Sequence, residues 1–285
     1  TGAGGFLGSA VVRRLLERSR PRFWLYLAGP VLVGVAYGAP TLAAVVSPVA
    51  LVLFVYFLLP ANVYLYGIND VFDAAIDRAN PKKYGREIRY RGSKSTLVAV
   101  AVAGAIGLSL VWLLPPVAGL SVLGFLVLGA AYSAPPIRLK TKPPLDSLSN
   151  GLYVLPGAAA YAALSGAEPP TLALLGGWFW AMAMHTFSAV PDIESDRLGG
   201  IRTTATVLGR RGAIGYCVAC WLLAVGLFAL LDPRAGVLLS VYPAIAGVVL
   251  VADVDVDRAY WWYPAINTGV GMALTLGGLW GIAHG

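Results

Sequence analysis

Long apolar runs separated by short polar loops occupy the chain from about residue 23 onward. A helix needs about 20 mostly apolar residues, rising 1.5 Å each, to cross the hydrocarbon core of a bilayer. Runs of that kind lie near 23–40, 43–68, 96–114, 117–133, 147–165, 171–191, 213–231, 235–252 and 261–283. The pairs Pro115-Pro116 and Pro169-Pro170 mark tight turns between neighbouring runs. The pattern predicts an all-α integral membrane protein with nine transmembrane helices.

Composition sharpens that reading. Hydrophobic residues make up 58% of the 285 positions and charged residues 12%, against roughly 45–50% and 25% in soluble proteins. A soluble fold of this length could not hide so much apolar surface, whereas lipid is itself an apolar solvent. The formal net charge of +7 does not point to nucleic acid, because the basic residues sit in short loops between the runs. With the N-terminus inside, twenty of the 21 Lys and Arg residues fall on one side and only Arg234 on the other. By the positive-inside rule the even-numbered loops are cytoplasmic and the C-terminus lies outside a cell membrane. Cys217 and Cys220 lie inside an apolar run with no further ligand nearby, and read as small helix residues rather than a redox or zinc pair.

The fourteen acidic residues are few, and two groups of them end apolar runs. Asn69, Asp73 and Asp77 recur every four residues at the end of the second run, and Asn62 and Tyr66 extend the same stripe backwards. Asp192 and Asp196 end the sixth run on a face shared with His185 and Ser188. Both groups precede an Arg-bearing loop, so both open on one side. Carboxylates that face each other repel unless something neutralises them. Oxygen ligands suit Mg²⁺, which bridges a few carboxylates to substrate phosphates, and nearby Lys and Arg supply the charge a diphosphate needs. These residues predict a magnesium–diphosphate cradle at the cytoplasmic mouth of an apolar cavity. A third run, Asp253, Asp255 and Asp257, alternates at spacing two and reads as an ordinary polar loop.

Four motifs together resemble the UbiA-type intramembrane prenyltransferase family: N-D-x-x-D-x-x-x-D at Asn69 to Asp77, D-x-x-x-D at Asp192 to Asp196, Tyr132 to Lys140 (YSAPPIRLK), and Arg202-Thr203-Thr204. The likeness spans roughly residues 18–285, and stretches such as PANVYLYGINDVFD are similar to the lycopene elongase branch of C50 carotenoid synthesis. The resemblance implies nine helices around a central cavity. It implies that Asn69, Asp73, Asp77, Asp192 and Asp196 hold Mg²⁺ on a prenyl diphosphate, the Asp residues being the catalytic set. It also implies that Arg86, Lys140, Arg202, Arg22 and Tyr132 contact the diphosphate. The run R-E-I-R-Y-R-G departs from the family pattern around Arg86. The reaction implied is transfer of dimethylallyl groups to the ends of lycopene, sometimes with hydration. Tyr66, Trp178, Trp180 and Phe187 are candidates to stabilise an allylic cation through their ring faces, and His185 is a candidate base. Another lipophilic acceptor (a quinone precursor, chlorophyllide or archaeal glycerolipid) is the nearest alternative. A secondary transporter is the different-class rival, disfavoured because charges gather at helix ends rather than at the midplane.

Residues 1–17 open with TGAGGFLG, which matches the glycine loop of short-chain dehydrogenases. Such a loop works after a strand and within a βαβ unit, and here an apolar run begins by residue 23. The segment is expected to be a truncated fragment that binds no NAD(P), with the transmembrane domain over 18–285. An upstream dehydrogenase domain beyond this sequence is the alternative.

Overall fold

A computed structural model describes residues 19–79 and 94–284, and Arg86, the side chain of Asp77 and the whole of the glycine-loop segment 1–17 lie outside the described residues. The described chain is helical. Its main helices are α1 (Trp24–Gly38), α2 (Pro60–Ala79), α3 (Lys94–Leu113), α4 (Pro116–Ser133), α5 (Leu155–Ser165), α6 (Thr171–Ala189), α7 (Thr204–Leu231), α8 (Val241–Val251) and α9 (Tyr263–His284). These nine correspond in order to the nine apolar runs. Among the described residues six stretches are long and apolar enough to cross a membrane by length and composition: Leu42–Asp73, Lys94–Leu113, Pro116–Ser133, Thr204–Leu231, Pro233–Val251 and Val256–His284. Large apolar side chains such as Trp112, Leu230, Val237 and Trp280 are exposed on the outside of the bundle. That surface is suited to lipid rather than water.

Several runs are broken where the sequence pattern predicts unbroken helix. The second passage is built from Leu42–Val45, Pro48–Leu58 and α2, because Pro60 has no N–H to donate and the chain bends at Leu59. Asn62 repairs the break: its buried amide donates to the Phe57 and Leu58 carbonyls at 2.9 and 3.0 Å. Inside an apolar layer those carbonyls find no water, so Asn62 turns inward rather than extending the polar stripe of Asn69 and Asp73. The fifth passage starts with the short helix Leu145–Leu148 and the 3₁₀ turn Ser149–Val154. There Asn150 donates to the Asp146 carbonyl at 2.6 Å, competing with regular helix. α7 begins nine residues earlier than its apolar run and kinks at Gly209, whose φ of 67° suits glycine.

Two buried clusters form the interior. Leu27, Leu53, Phe57, Phe125 and Leu152 centre the one built from α1 to α5. Phe187, Trp221, Tyr242 and Tyr263 centre the one built from α6 to α9. α1 packs on α5, and Gly34 and Gly157 allow it: a Cβ on Gly34 would lie 2.2 Å from the Gly157 carbonyl oxygen. The open space between the clusters is where the polar residues gather.

Candidate active site

A cavity of about 270 Å³ lies there, walled by α1, α2, α4, α6 and the 3₁₀ turn Ser149–Val154. Phe23, Tyr26, Tyr66, Tyr132, Tyr153 and Tyr260 give it an aromatic lining, and Arg20, Asn69, Asn150, His185 and Ser188 supply its polar groups. α2 runs along one wall, so spacings of three and four residues carry Tyr66 and Asn69 onto the lining and Asp73 one turn further on.

Asp73 is held by two cations. Arg138 Nη2 donates to its Oδ1 at 3.0 Å, and the Lys140 ammonium contacts its Oδ2. The same ammonium donates to Asn69 Oδ1 at 3.0 Å, which also accepts from the Ser133 hydroxyl at 2.9 Å. Asn69 and Asp73 therefore already converge on a single positive charge. Both cations come from the turn after α4: Arg138 has a φ of 42°, and Lys140 follows in the 3₁₀ turn Leu139–Thr141. Arg20 has a φ of 51°, donates to Asp70 at 3.1 Å and lies over the Tyr66 ring at 4.7 Å. A non-glycine residue at positive φ costs on the order of 1–3 kcal/mol and persists where surrounding contacts fix it. Both strained arginines are tied to carboxylates of α2.

The remaining predicted residues are placed as follows. Tyr66 and Tyr132 line the cavity. Arg22 is not among the lining residues; it donates to the Trp261 carbonyl at 3.2 Å and lies 4.0 Å from the Trp261 ring. α6 stops at Ala189 because Pro191 follows, and the chain continues through Val190–Asp192 into the helix Ile193–Leu198. Asp192 thus comes one turn after the cavity residue Ser188, and Asp196 one turn later. Arg202 is exposed, immediately before the Thr203–Thr206 capping box that starts α7. Among the aromatic candidates only Tyr66 reaches the lining. The Trp178 indole lies against Gly151 and donates to the Leu148 carbonyl at 2.9 Å. Trp180 packs on Tyr242, and Phe187 on Trp221 and Tyr263. The sequence pattern does not single out Arg138, Arg20 or Asp146 as site residues; Arg138 enters only as part of the run YSAPPIRLK.

The family model for the UbiA prenyltransferase family matches residues 27–267. The chain belongs to that family. It is 60% identical to a lycopene elongase/hydratase of Halobacterium salinarum, over 96% of this chain and 99% of that one. It is 57% identical to a lycopene elongase/hydratase of Haloferax volcanii, over 99% and 94%. A Corynebacterium glutamicum protein of the same name is 34% identical over 80% of each chain. The fold matches a solved UbiA homolog from Archaeoglobus fulgidus bound to DMAPP and Mg²⁺, with a TM-score of 0.74 and 21% identity over 93% of this chain and 98% of that one. This UbiA-family chain is accordingly an integral membrane prenyltransferase with an all-helical fold.

The donor set fits magnesium. Among the described residues no three of His, Cys, Asp and Glu converge into a closed metal cage. Mg²⁺ seldom uses one: it takes one or two carboxylates, keeps waters, and shares substrate phosphates. Asn69 Oδ1 and the Asp73 carboxylate are oxygen donors already meeting at one cation.

Proposed function

We propose that this enzyme transfers dimethylallyl groups from dimethylallyl diphosphate to the ends of lycopene, in a magnesium-dependent reaction that includes hydration of the chain end. The observation that carries the reading is the shared cation site of Asn69, Asp73 and Lys140 at an aromatic-lined cavity. The identities of 60% and 57% to lycopene elongase/hydratases over nearly the whole chain support the acceptor.

In this reading Asn69, Asp73, Asp77, Asp192 and Asp196 hold Mg²⁺, which supplies Lewis-acid stabilisation of charge on the leaving diphosphate. Lys140 and Arg138 turn from neutralising Asp73 to neutralising diphosphate oxygens, with Arg20, Arg86 and Arg202 as further cations. Tyr66, Phe23, Tyr26 and Tyr153 present ring faces or edges to the allylic fragment, and a cation near such faces is stabilised. The aromatic lining also limits water near the cation until the terminal double bond of the acceptor attacks it. Residues 18–285 carry this chemistry. The enzyme sits in the cell membrane with its N-terminal side and cavity mouth cytoplasmic and its C-terminus outside, a reading supported by the placement of twenty of 21 basic residues on one side.

Expression in bacterial cells that accumulate lycopene tests this. Carotenoids heavier by one and two C5 units, absent with Asp73→Ala and Asp192→Ala, are the expected result. Unchanged lycopene in cells whose membranes contain the protein would overturn the carotenoid assignment.

A further inference from the structure

One wall of the cavity is more polar than the joining of an allylic cation to an alkene requires. His185 and Ser188 of α6 line it together with Asn150 and Tyr132. Beside His185 stands Asp146 of the short helix Leu145–Leu148, whose side chain is only 1% exposed. The Thr204 backbone N–H donates to Asp146 Oδ2 at 2.7 Å, and the Thr204 hydroxyl donates to Oδ1. A carboxylate this buried keeps its charge only when donors of that kind compensate it. His185 Nε2 lies 3.9 Å from the same Oδ2. The imidazole is also fixed against the Tyr132 ring, edge to face, at 5.8 Å between centroids. Thr186 donates to the Ser147 hydroxyl at 2.9 Å, and Ser147 bonds the Met182 carbonyl at 3.1 Å, so α6 and the Asp146 turn are locked together. The result is an imidazole that opens onto the reaction space with a buried negative charge beside it. Plain packing would need neither the opening nor the charge.

We propose that His185 accepts the proton of the water that quenches the final cation, with Asp146 as its positioning residue. The inference rests on the carotenoid reading above. Once the new C–C bond has formed, the positive charge sits on a tertiary carbon of the acceptor. A water lone pair forms the C–O bond, one O–H bond of that water breaks, and its proton passes to the imidazole. The Asp146 carboxylate compensates the charge that the ring then carries. No electron changes hands between reactants, and the proton later returns to solvent. The competing end of the reaction is loss of a C–H proton to a diphosphate oxygen, which leaves an alkene. His185 therefore sets the proportion of hydrated to unhydrated product.

The test uses the intact protein in lycopene-containing membranes with dimethylallyl diphosphate and Mg²⁺, comparing wild type, His185→Gln and Asp146→Asn. Glutamine keeps a polar side chain at the wall but takes up no proton. The expected result for His185→Gln is a fall of about tenfold or more in hydrated product. Unhydrated elongated product should rise correspondingly, as the same cation is diverted to proton loss. Asp146→Asn should move the ratio the same way by less. An unchanged ratio in His185→Gln, or equal loss of both products together with a lower melting temperature, would overturn the proposal. If wild type elongates lycopene but adds no water, the proposal falls and prenyl transfer stands. If wild type elongates nothing, the carotenoid reading fails first and takes this inference with it.

Discussion

Replacing Lys140 with Met withdraws one ammonium from three oxygens at once: Asn69 Oδ1 at 3.0 Å, Ser133 Oγ at 3.4 Å and the Asp73 carboxylate. The methionine fills most of the volume, so packing changes little. Asp73 is not orphaned, because Arg138 Nη2 remains at 3.0 Å. A hydrogen bond to a charged group contributes about 1.5–3 kcal/mol, and the remaining arginine leaves the stability loss at the lower end of that range. The loss in rate should be larger. A fixed donor aimed at developing charge is worth about 2.7–4 kcal/mol, or about 10²–10³-fold in kcat. Lys140→Met should therefore turn over dimethylallyl diphosphate about 10²–10³-fold more slowly while melting only a few degrees lower. Lys140→Arg should recover part of the rate, since a guanidinium keeps the charge but not the compact geometry. The assay is diphosphate release from detergent-solubilised protein, with thermal unfolding of the same samples as the control. Turnover within about fivefold of wild type, or a loss fully matched by unfolding, would refute the assignment of Lys140.

Chelation by EDTA should abolish turnover and added Mg²⁺ restore it; activity that survives exhaustive chelation contradicts the donor assignment of Asn69 and Asp73. Gly34→Ala should destabilise the bundle by about 1–3 kcal/mol, because its Cβ would meet the Gly157 carbonyl oxygen at 2.2 Å, and backbone cannot step aside. Gly29→Ala is the matched control, with nothing within 4 Å of the new Cβ, and equal melting temperatures for the two variants would refute the close α1–α5 contact. On the loop after α8, the hydrogen bond and charge of Arg210 hold the Asp253 carboxyl below its ordinary value of 3.8. A depressed folded-state value means the pair stabilises above the ordinary carboxylate range and ceases to as pH falls through the lowered value. Thermal melts of Asp253→Asn should differ from wild type at neutral pH, less so in high salt, and converge with it in acid; a pH-independent difference would contradict the ion pair.

The nine passages are legible in the sequence because crossing hydrocarbon demands length and apolarity, and both are read residue by residue. The breaks within them are not. Pro60 is hidden within the apolar run 43–68, and that Asn62 turns inward to the Phe57 and Leu58 carbonyls follows from the absence of water there. Asn69, Asp73 and Lys140 are legible as partners: the four-residue spacing puts the first two on one face, and the family motif supplies the third. Arg138 escapes notice because a φ of 42° aims it back at α2, a conformation no pattern of polar positions announces. Asp146 escapes for another reason. It stands in a loop-like stretch before an apolar run, and its burial depends on Thr204, 58 residues later in the chain. Trp178, Trp180 and Phe187 sit on a helix whose polar residues His185, Thr186 and Ser188 gather at its C-terminal end, so ring type and spacing alone do not decide which rings meet the cavity. Packing assigns them to Gly151, Tyr242 and Trp221 instead.

The most direct measurement supplies membranes containing the intact protein with isotope-labelled dimethylallyl diphosphate, lycopene and Mg²⁺, and follows the label by mass spectrometry. The account predicts carotenoids carrying one and two labelled C5 units, lost on removal of Mg²⁺ and in Asp73→Asn. Label that stays in the diphosphate, or enters another lipid while lycopene is untouched, would contradict it.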